Sequence, residues 1–323
     1  MKKLAVAAIA AVSLLLVSLG FYVRHGWTAR GPATEPAEVV IPQGSSLSKA
    51  ARVLEEAGAL RSADQFLTFA RVLGSGASIR AGEYEIPARA SPSEVLALLQ
   101  SGRTLQRFVA IPEGTPSILV YERLMREPRL SGPVDMPAEG SVLPDSYSFQ
   151  RGETRAAVLA RMQKAMDETL AKLWAARKPG IAVSSPREAV ILASVVEKET
   201  GVPSERRTVA GVYSNRLRQG IPLQADPTVI YPVTKGKPLG RRILRSELNA
   251  NNGYNTYAMA GLPAGPIANP GREALAATLD PAPTRALYFV AKGDGGHIFA
   301  ETLAEHNANV QRWYAIRRAR GEM

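Results

Sequence analysis

The stretch Ser185–Gly201, SPREAVILASVVEKETG, decides the fold prediction because it has helix start and stop signals on either side of an apolar run. Ser185 suits the N-cap and Pro186 the first helical position, and Glu188 lies three residues after the cap, the spacing of a capping box. Gly201 is typical of the residue that ends a helix. We therefore predict one helix across this stretch.

Between these signals the predicted helix is apolar on every side, which is typical of a helix buried in a core. Only Ser194 interrupts the run from 189 to 196, and the last turn carries Glu197 and Glu199. Because successive side chains are rotated by about 100°, Glu197 lies over small side chains such as Ala193, and we expect this face to leave room for a ligand. Glu199 lies over bulkier aliphatic side chains.

A carboxyl group packed against apolar side chains can act as a general acid. Burial removes water from the charged form and raises the pKa, so the group can stay protonated near neutral pH. The alternative is that Glu197 and Glu199 are the solvated last turn of a core helix, where the helix macrodipole makes acids only mildly unfavourable. The helix pattern alone leaves both interpretations open.

Composition limits the classes of protein to which this chain can belong. The 323 residues are 46% hydrophobic, enough for one large domain or two ordinary ones. The net charge of +11 favours anionic surroundings, such as a membrane or a wall polymer. We expect no nucleic-acid partner, because no binding motif is recognisable, aromatic residues are only 6% and the basic residues are dispersed.

Cysteine and histidine usage argues against thiol and metal chemistry. The chain has no cysteine, which excludes a disulfide framework, a thiol nucleophile and a cysteine-ligated metal. The three histidines, His25, His297 and His306, lack the spacing of metal ligands. We therefore predict no metal and no cofactor.

Residues 1–23 predict a transmembrane anchor. Lys2 and Lys3 precede an uncharged run from Leu4 to Val23, twenty residues, which is long enough to cross a bilayer as a helix. A cleaved signal peptide is the alternative, but no small-residue cleavage site ends the run. We expect an uncleaved, single-pass anchor with the bulk of the chain outside the cytoplasm.

Beyond the anchor the sequence predicts a linker, a small domain and a larger domain, with an α+β fold overall. Residues 24–38 contain Gly and Pro and predict a linker. Residues 39–106 predict a small α/β unit in which VVIPQG and AGEYEI are strands flanking helices. VVIPQG recurs as VAIPEG 70 residues later, which indicates a boundary near residue 107 and a second domain over 107–323.

Polar loops surround the predicted buried helix in the sequence, and such loops commonly form the walls of a site. They are EGSVLPDSYSF (139–149), IPLQADPTVIY (221–231), NNGYNTY (251–257) and GLPAGPIANPG (261–271). The alternative is that they are ordinary surface connections. Near the C-terminus, LYFVAKGDGGHIFA predicts a β-hairpin, and a basic helix follows from about 303 to 320.

In this order the motifs resemble the YceG-like (MltG) family of endolytic murein transglycosylases. VEKET, LQADPTVIY and GLPAGPIANPG together are specific, and the resemblance extends over nearly the whole chain. It implies a LysM-like subdomain over 39–106 and a YceG-like catalytic domain over 107–323 with a lysozyme-like helical active-site core. It also implies a single-pass protein of the inner (cytoplasmic) membrane, with its bulk on the periplasmic side.

The resemblance implies Glu197, the first Glu of VEKET, as the catalytic acid. It further implies Gln224 and Asp226 of LQADPT, and Tyr254 and Asn255 of YNTY, as substrate-binding residues. The implied reaction cleaves the MurNAc–GlcNAc β-1,4 bond within nascent peptidoglycan strands and leaves 1,6-anhydro-MurNAc ends, which would terminate glycan elongation. The implied partners are glycan strands, the membrane and peptidoglycan synthases.

Two alternatives remain open at this point. A muramidase would use a second carboxylate as base or nucleophile, and Asp226 and Glu199 are the available residues. A membrane-tethered peptidoglycan-binding scaffold would use the small domain to hold wall polymer, with the Glu197 helix as inert core.

Overall fold

The computed structural model describes the backbone of residues 2–322 and the side chains of residues 9–322, and it shows a mixed α+β chain. The outermost residues of the predicted first and last domains, residues 1 and 323, lie outside the described part. The chain divides into two compact units, Met1–Arg107 and Phe108–Met323, which we name the N-terminal unit and the C-terminal unit.

In the sequence of the N-terminal unit, two helices lie between two strands that pair with each other. Its elements are α1 (Lys2–Thr28), β1 (Ala37–Ile41), α2 (Leu47–Glu56), α3 (Ala63–Leu73), β2 (Gly82–Ile86) and α4 (Pro92–Ser101). β1 and β2 pair antiparallel, with Val39 opposite Tyr84. Because alternate side chains of a strand share a face, Val39 and Ile41 point into the core together with Tyr84 and Ile86.

Helix α1 is longer than the predicted anchor. It contains an apolar span, Ile9–Thr28, that fits a membrane crossing by length and composition, criteria that a signal sequence also meets. The helix continues past Val23, the predicted end of the anchor, and Trp27 is only 9% exposed with its ring 6.1 Å from that of Phe66 in α3. The first residues of the predicted linker, 24–38, are therefore helical and packed, because Trp27 finds apolar partners in α3.

The C-terminal unit is mainly helical, with two short pairs of strands. Its elements are β3 (Arg107–Ala110, beginning at the unit boundary), α5 (Ser117–Arg126), β4 (Ser146–Phe149), α6 (Arg155–Ala175), α7 (Pro186–Glu199), α8 (Arg206–Arg218), α9 (Asp226–Thr234), α10 (Arg245–Leu248), α11 (Arg272–Leu279), β5 (Tyr288–Ala291), β6 (His297–Ala300) and α12 (Leu303–Ala319). β3 pairs with β4, and β5 pairs antiparallel with β6. The predicted hairpin and the predicted C-terminal helix are thereby confirmed.

Local hydrogen bonds start and end α7 close to the predicted positions. The Ser185 hydroxyl accepts a hydrogen bond from the backbone N–H of Glu188 at 3.2 Å, as an N-cap does. The Glu188 carboxylate does not close the expected capping box on Ser185, because it accepts from the N–H and hydroxyl of Ser184 at 2.7 and 2.8 Å. Thr200, one residue before the predicted stop, is the C-cap.

Helix α7 is the buried centre of the C-terminal unit. Every residue from Ala189 to Val196 is buried, and α6, α8, α9 and α11 pack around the helix. The prediction of a buried helix is confirmed. The last turn of α7 holds Glu197 and Glu199 and so brings two carboxyl groups to this core.

We predict that Trp27→Ala destabilises the N-terminal unit by about 3 kcal/mol, because it leaves a cavity beside Phe66. Phe21→Ala, on the same helix but at a side chain that is 72% exposed, should change stability much less. Chemical denaturation of the full chain in detergent measures both. Equal effects of the two substitutions would show that Trp27 does not belong to the folded core.

Candidate active site

Loops cover the face of α7 that was predicted to leave room for a ligand. The Ser194 hydroxyl accepts a hydrogen bond from the backbone N–H of Ile267 at 3.0 Å and donates to the Ile191 carbonyl at 2.7 Å. Gly140 approaches so closely that a Cβ there would lie 2.8 Å from Cγ1 of Val190. That prediction is wrong, because the small side chains admit loop backbone instead of a ligand.

Asn269 fastens these loops to one another. Its side-chain oxygen accepts from the backbone N–H of Val142 at 3.0 Å, and its side-chain nitrogen donates to the Thr115 carbonyl at 2.9 Å and the Ser117 hydroxyl at 3.1 Å. Asn269 is fully buried, so each of these bonds satisfies a group that water does not reach. The GLPAGPIANPG, EGSVLPDSYSF and VAIPEG segments are thereby held together beside α7.

Glu197 lies in a polar enclosure formed by this loop assembly. Its side chain is only 6% exposed, its Oε2 accepts from the backbone N–H of Gly271 at 2.8 Å, and its Oε1 lies 3.6 Å from Nη2 of Arg206. Burial raises the pKa of the Glu197 carboxyl, the Gly271 N–H opposes this, and the charge of Glu113 raises it further. Arg206 and Lys198 lower it.

A second carboxyl, Glu113 of the VAIPEG turn, shares Arg206 with Glu197. Its Oε2 lies 3.5 Å from Nη2 of the buried Arg206. The Glu113 carboxyl lies close to the Gly271 backbone, in the space that a Cβ would occupy. Glu113 itself is half-exposed. The structure therefore places Glu197 in a group of two carboxyls and one guanidinium.

Glu199 faces different neighbours from Glu197. Side chains two residues apart on a helix differ in direction by about 200°, so the two carboxyls of α7 point to opposite sides. Burial and the charge of Asp226 raise the pKa of Glu199 to about 7, although the Tyr213 hydroxyl and Arg216 act in the opposite direction. Its Oε1 is enclosed and has no hydrogen-bond partner among the residues that the structure describes. A carboxyl in this state can hold a proton near neutral pH.

The LQADPT and YNTY segments meet on this side. The Tyr257 hydroxyl donates to Oδ1 of Asp226 at 2.6 Å, and Thr256 accepts from the backbone N–H of Gln224 at 3.0 Å. Beneath them the buried hydroxyls of Thr228 and Thr256 lie 2.8 Å apart. Gln224 has a φ of 53°, which few residues other than glycine adopt, and such strain often occurs at functional sites.

Arg216 supports the Gln224 segment from α8. Its Nη1 donates to the carbonyls of Pro222 and Leu223 at 2.9 and 3.0 Å and to Oε1 of Gln224 at 3.2 Å. Its guanidinium carbon lies 5.0 Å above the ring of Tyr288. Arg216 is 7% exposed, and because its donors are engaged mainly by backbone carbonyls, it acts as a brace for the strained segment.

Asn255 and Tyr254 have mainly structural contacts. Asn255 is 1% exposed, and its side-chain nitrogen donates to three carbonyls of residues 247, 248 and 250 while its oxygen accepts from the N–H of Tyr257. Asn255 therefore holds its own loop, and its contact with substrate, which the resemblance implies, stays a prediction. The Tyr254 ring packs on that of Tyr231, with centroids 5.1 Å apart.

The structure thus brings Gln224 and Asp226 together with Glu199 rather than with Glu197. Sequence reasoning missed five residues of the two groups, Glu113, Arg206, Tyr213, Arg216 and Tyr257. Tyr257 had a usable signal, since it belongs to the YNTY motif. The other four gave none, because each is an ordinary residue of a helix or turn until tertiary packing places it beside a carboxyl.

The sequence is similar to those of known proteins over most of its length. The sequence profile of the YceG-like family matches residues 39–312. An endolytic murein transglycosylase of Bacillus subtilis is 27% identical over 305 residues, which cover 84% of this chain and 83% of the relative. An endolytic murein transglycosylase of Streptococcus pneumoniae D39 is 26% identical over 84% of this chain, and there the match spans only 57% of the relative.

A solved structure has a similar fold. The crystal structure of a YceG-like protein from Listeria monocytogenes aligns with a TM-score of 0.54 and 26% sequence identity. The alignment covers 85% of this chain and 98% of the Listeria chain. The likeness therefore extends over nearly all of that protein.

The raised pKa of Glu199 predicts how stability depends on pH. Between the ordinary carboxyl pKa and about 7 the folded chain binds more protons than the unfolded chain, so the free energy of unfolding falls as pH rises through this window. This decrease in the free energy of unfolding amounts to at most about 3 kcal/mol, and Glu199→Gln should abolish it. Chemical denaturation from acid to neutral pH measures the slope.

The control for this experiment is Glu273→Gln, which changes an exposed carboxyl in the first turn of α11. This variant should keep the wild-type slope. An unchanged slope in Glu199→Gln as well would show that Glu199 titrates like a hydrated acid.

Proposed function

Because this chain belongs to the YceG-like family, we propose that it is an endolytic murein transglycosylase that cleaves peptidoglycan glycan strands internally. Relatives that bear this name support the substrate class. The observation on which the proposal rests is Glu199, a carboxyl with a pKa raised to about 7 and an unpartnered Oε1, beside the LQADPT segment. Such a group suits proton donation to a glycosidic oxygen.

Two carboxyls of VEKET compete for the role of acid. The family resemblance favours Glu197, and this assignment stays a prediction. Burial raises the pKa of both carboxyls, but the Gly271 N–H and Arg206 oppose the shift at Glu197, whereas the charge of Asp226 adds to the shift at Glu199 and its pKa reaches about 7. This difference favours Glu199. We therefore assign the acid role to Glu199 and a loop-positioning role to Glu197.

The proposed reaction needs only one acid. Glu199 donates its proton to the oxygen of the MurNAc–GlcNAc β-1,4 bond as the bond to the anomeric carbon breaks. The 6-hydroxyl of the same MurNAc then attacks that carbon, and the Glu199 carboxylate accepts its proton. The products are a free GlcNAc 4-hydroxyl and a 1,6-anhydro-MurNAc end, and the enzyme returns to its starting protonation state.

Polar groups next to Glu199 would hold the sugar. Gln224 is exposed on a backbone braced by Arg216, and its amide suits the N-acetyl group of substrate. Asp226, fixed by the Tyr257 hydroxyl, places negative charge near the developing oxocarbenium ion. Preorganised groups of this kind lower the barrier because they need no reorientation during the reaction.

The N-terminal unit would keep this chemistry at the membrane. Its strand–helix–helix–strand order with an antiparallel strand pair supports a LysM-like, glycan-holding role. The apolar span Ile9–Thr28 supports a single-pass anchor. We place this anchor in the inner membrane with the bulk of the chain on the periplasmic side, as the family resemblance implies. An enzyme held there would meet nascent strands beside the synthases that make them and would terminate their elongation. For the C-terminal unit we propose a lysozyme-like core centred on α7.

Glu199→Gln should lower the rate of glycan release from purified sacculi by about 10² to 10⁴-fold, because the amide cannot donate the proton. Glu197→Gln should cost much less activity and should lower stability instead, since it weakens the contacts to Gly271 and Arg206. Turnover assays and denaturation of both variants measure this. A reversed order of the two activities would restore Glu197 as the acid.

The role of Asp226 differs between a transglycosylase and a muramidase. Its charge raises the pKa of Glu199, so it lies close enough to act together with that acid. In a hydrolase it would be the second carboxylate, and released strands would carry reducing MurNAc ends. We expect mass spectrometry to find 1,6-anhydro ends instead, and Asp226→Asn to be less damaging than Glu199→Gln. Reducing ends would replace the transglycosylase assignment with a muramidase.

A further inference from the structure

The apolar surface of helix α1 has a neighbour at the end of α3. Val72 and Leu73, the last two residues of α3, are 68% and 42% exposed. On α1, Leu19 and Phe21 are 53% and 72% exposed. Helix α3 thus ends in two exposed apolar side chains. It packs against α1, the helix that fits a membrane span.

The contacts show that α1 and α3 run in opposite directions. At the start of α3, Nη2 of Arg61 lies 3.4 Å from the Arg30 carbonyl. One turn further, Phe66 packs on Trp27, and the next turn brings the ring of Phe69 to 6.3 Å from that of Tyr22. As residue numbers rise along α3, they fall along α1, so the end of α3 points toward the middle of the apolar span Ile9–Thr28.

The end of α3 therefore reaches the level of that span. With a rise of 1.5 Å per residue, Val72 lies about 4.5 Å beyond Phe69 along α3. This places Val72 and Leu73 level with or beyond Tyr22, on the side where α1 is uncharged from Tyr22 back to Leu4. The Gln65 amide also donates to the Tyr22 hydroxyl at 3.1 Å, so α3 is fixed to α1 by polar and aromatic contacts together.

Charged side chains mark the boundary of this apolar surface. Arg24 on α1 and Arg71 on α3 are both exposed and adjoin the apolar residues. Long basic side chains at such positions extend toward water and anionic headgroups while their stems cover apolar surface. Apolar tips with basic neighbours are typical of segments that enter the interfacial region of a bilayer.

We propose that Val72 and Leu73 insert into the leaflet at the C-terminal end of α1, so that the N-terminal unit is a membrane-embedded unit held directly on the bilayer. The occupant of this surface is lipid, and the inference rests on the proposed anchoring of α1. The unit then has two membrane contacts, a crossing helix and a shallow helix end, which fix its tilt as well as its distance. A flexible spacer would fix neither.

The absence of cysteine in the chain allows a direct test. Single variants Val72→Cys, Glu55→Cys and Val17→Cys of the full chain, each labelled with the fluorophore NBD, are reconstituted into phosphatidylethanolamine–phosphatidylglycerol vesicles. Lipids with a doxyl group near the headgroup should lower Val72→Cys emission by about twofold, as expected for a shallow segment. Glu55, exposed on α2, is the matched control and should not be quenched.

Val17→Cys, in the middle of α1, separates this inference from the anchor itself. Quenching of Val17→Cys by lipids with a deep doxyl group, without quenching of Val72→Cys by shallow ones, would overturn the insertion of α3 and leave the anchor intact. No quenching at Val17 would overturn both. Leu73→Cys provides a second site on α3, and failure at both α3 positions in a folded chain rejects the proposal.

Discussion

The structure of the C-terminal unit depends on burying one helix, α7, on all sides. A helix that is apolar all round is stable only when neighbours cover every face. Here α6, α8, α9 and α11 cover it as helices, and polar loops cover the face with the smallest side chains. Ser194 shows how tightly the loops fit, because its hydroxyl bonds a backbone N–H that is 73 residues distant.

This burial determines the chemistry at the end of the helix. Glu197 and Glu199 leave the same turn about 200° apart, so they reach different neighbours. Burial raises the pKa of Glu197, and a backbone N–H and a guanidinium oppose that shift. Glu199 meets apolar surface and another carboxylate, which favour its neutral form. Two identical side chains thereby have different surroundings, and the proposed division of roles between them rests on this difference.

The same principle applies to the N-terminal unit, where a helix that looks independent in sequence is part of a fold. Trp27 and Tyr22 connect α1 to α3 through aromatic contacts. With α1 as the proposed anchor, these contacts would fix both the position and the orientation of the unit, whereas a Gly/Pro spacer would set only a maximum distance.

Sequence alone determined the features that depend on neighbouring residues. The start of α7 at the Ser185 cap, the hairpin of β5 and β6 and the C-terminal helix follow from short-range hydrogen bonds and side-chain periodicity, and they were predictable. The motifs were enough to recognise the family.

Only the tertiary structure decided how far the pKa of each carboxyl is raised and that loops cover the small-residue face of α7. Those properties depend on groups far away in the chain, such as Asp226 beside Glu199 and the Ile267 N–H on Ser194. The burial of Asn255 in its own loop and the packing of Trp27 on Phe66 were hidden for the same reason. A pKa or a cavity is set by all the atoms within a few ångströms, and sequence spacing does not specify them.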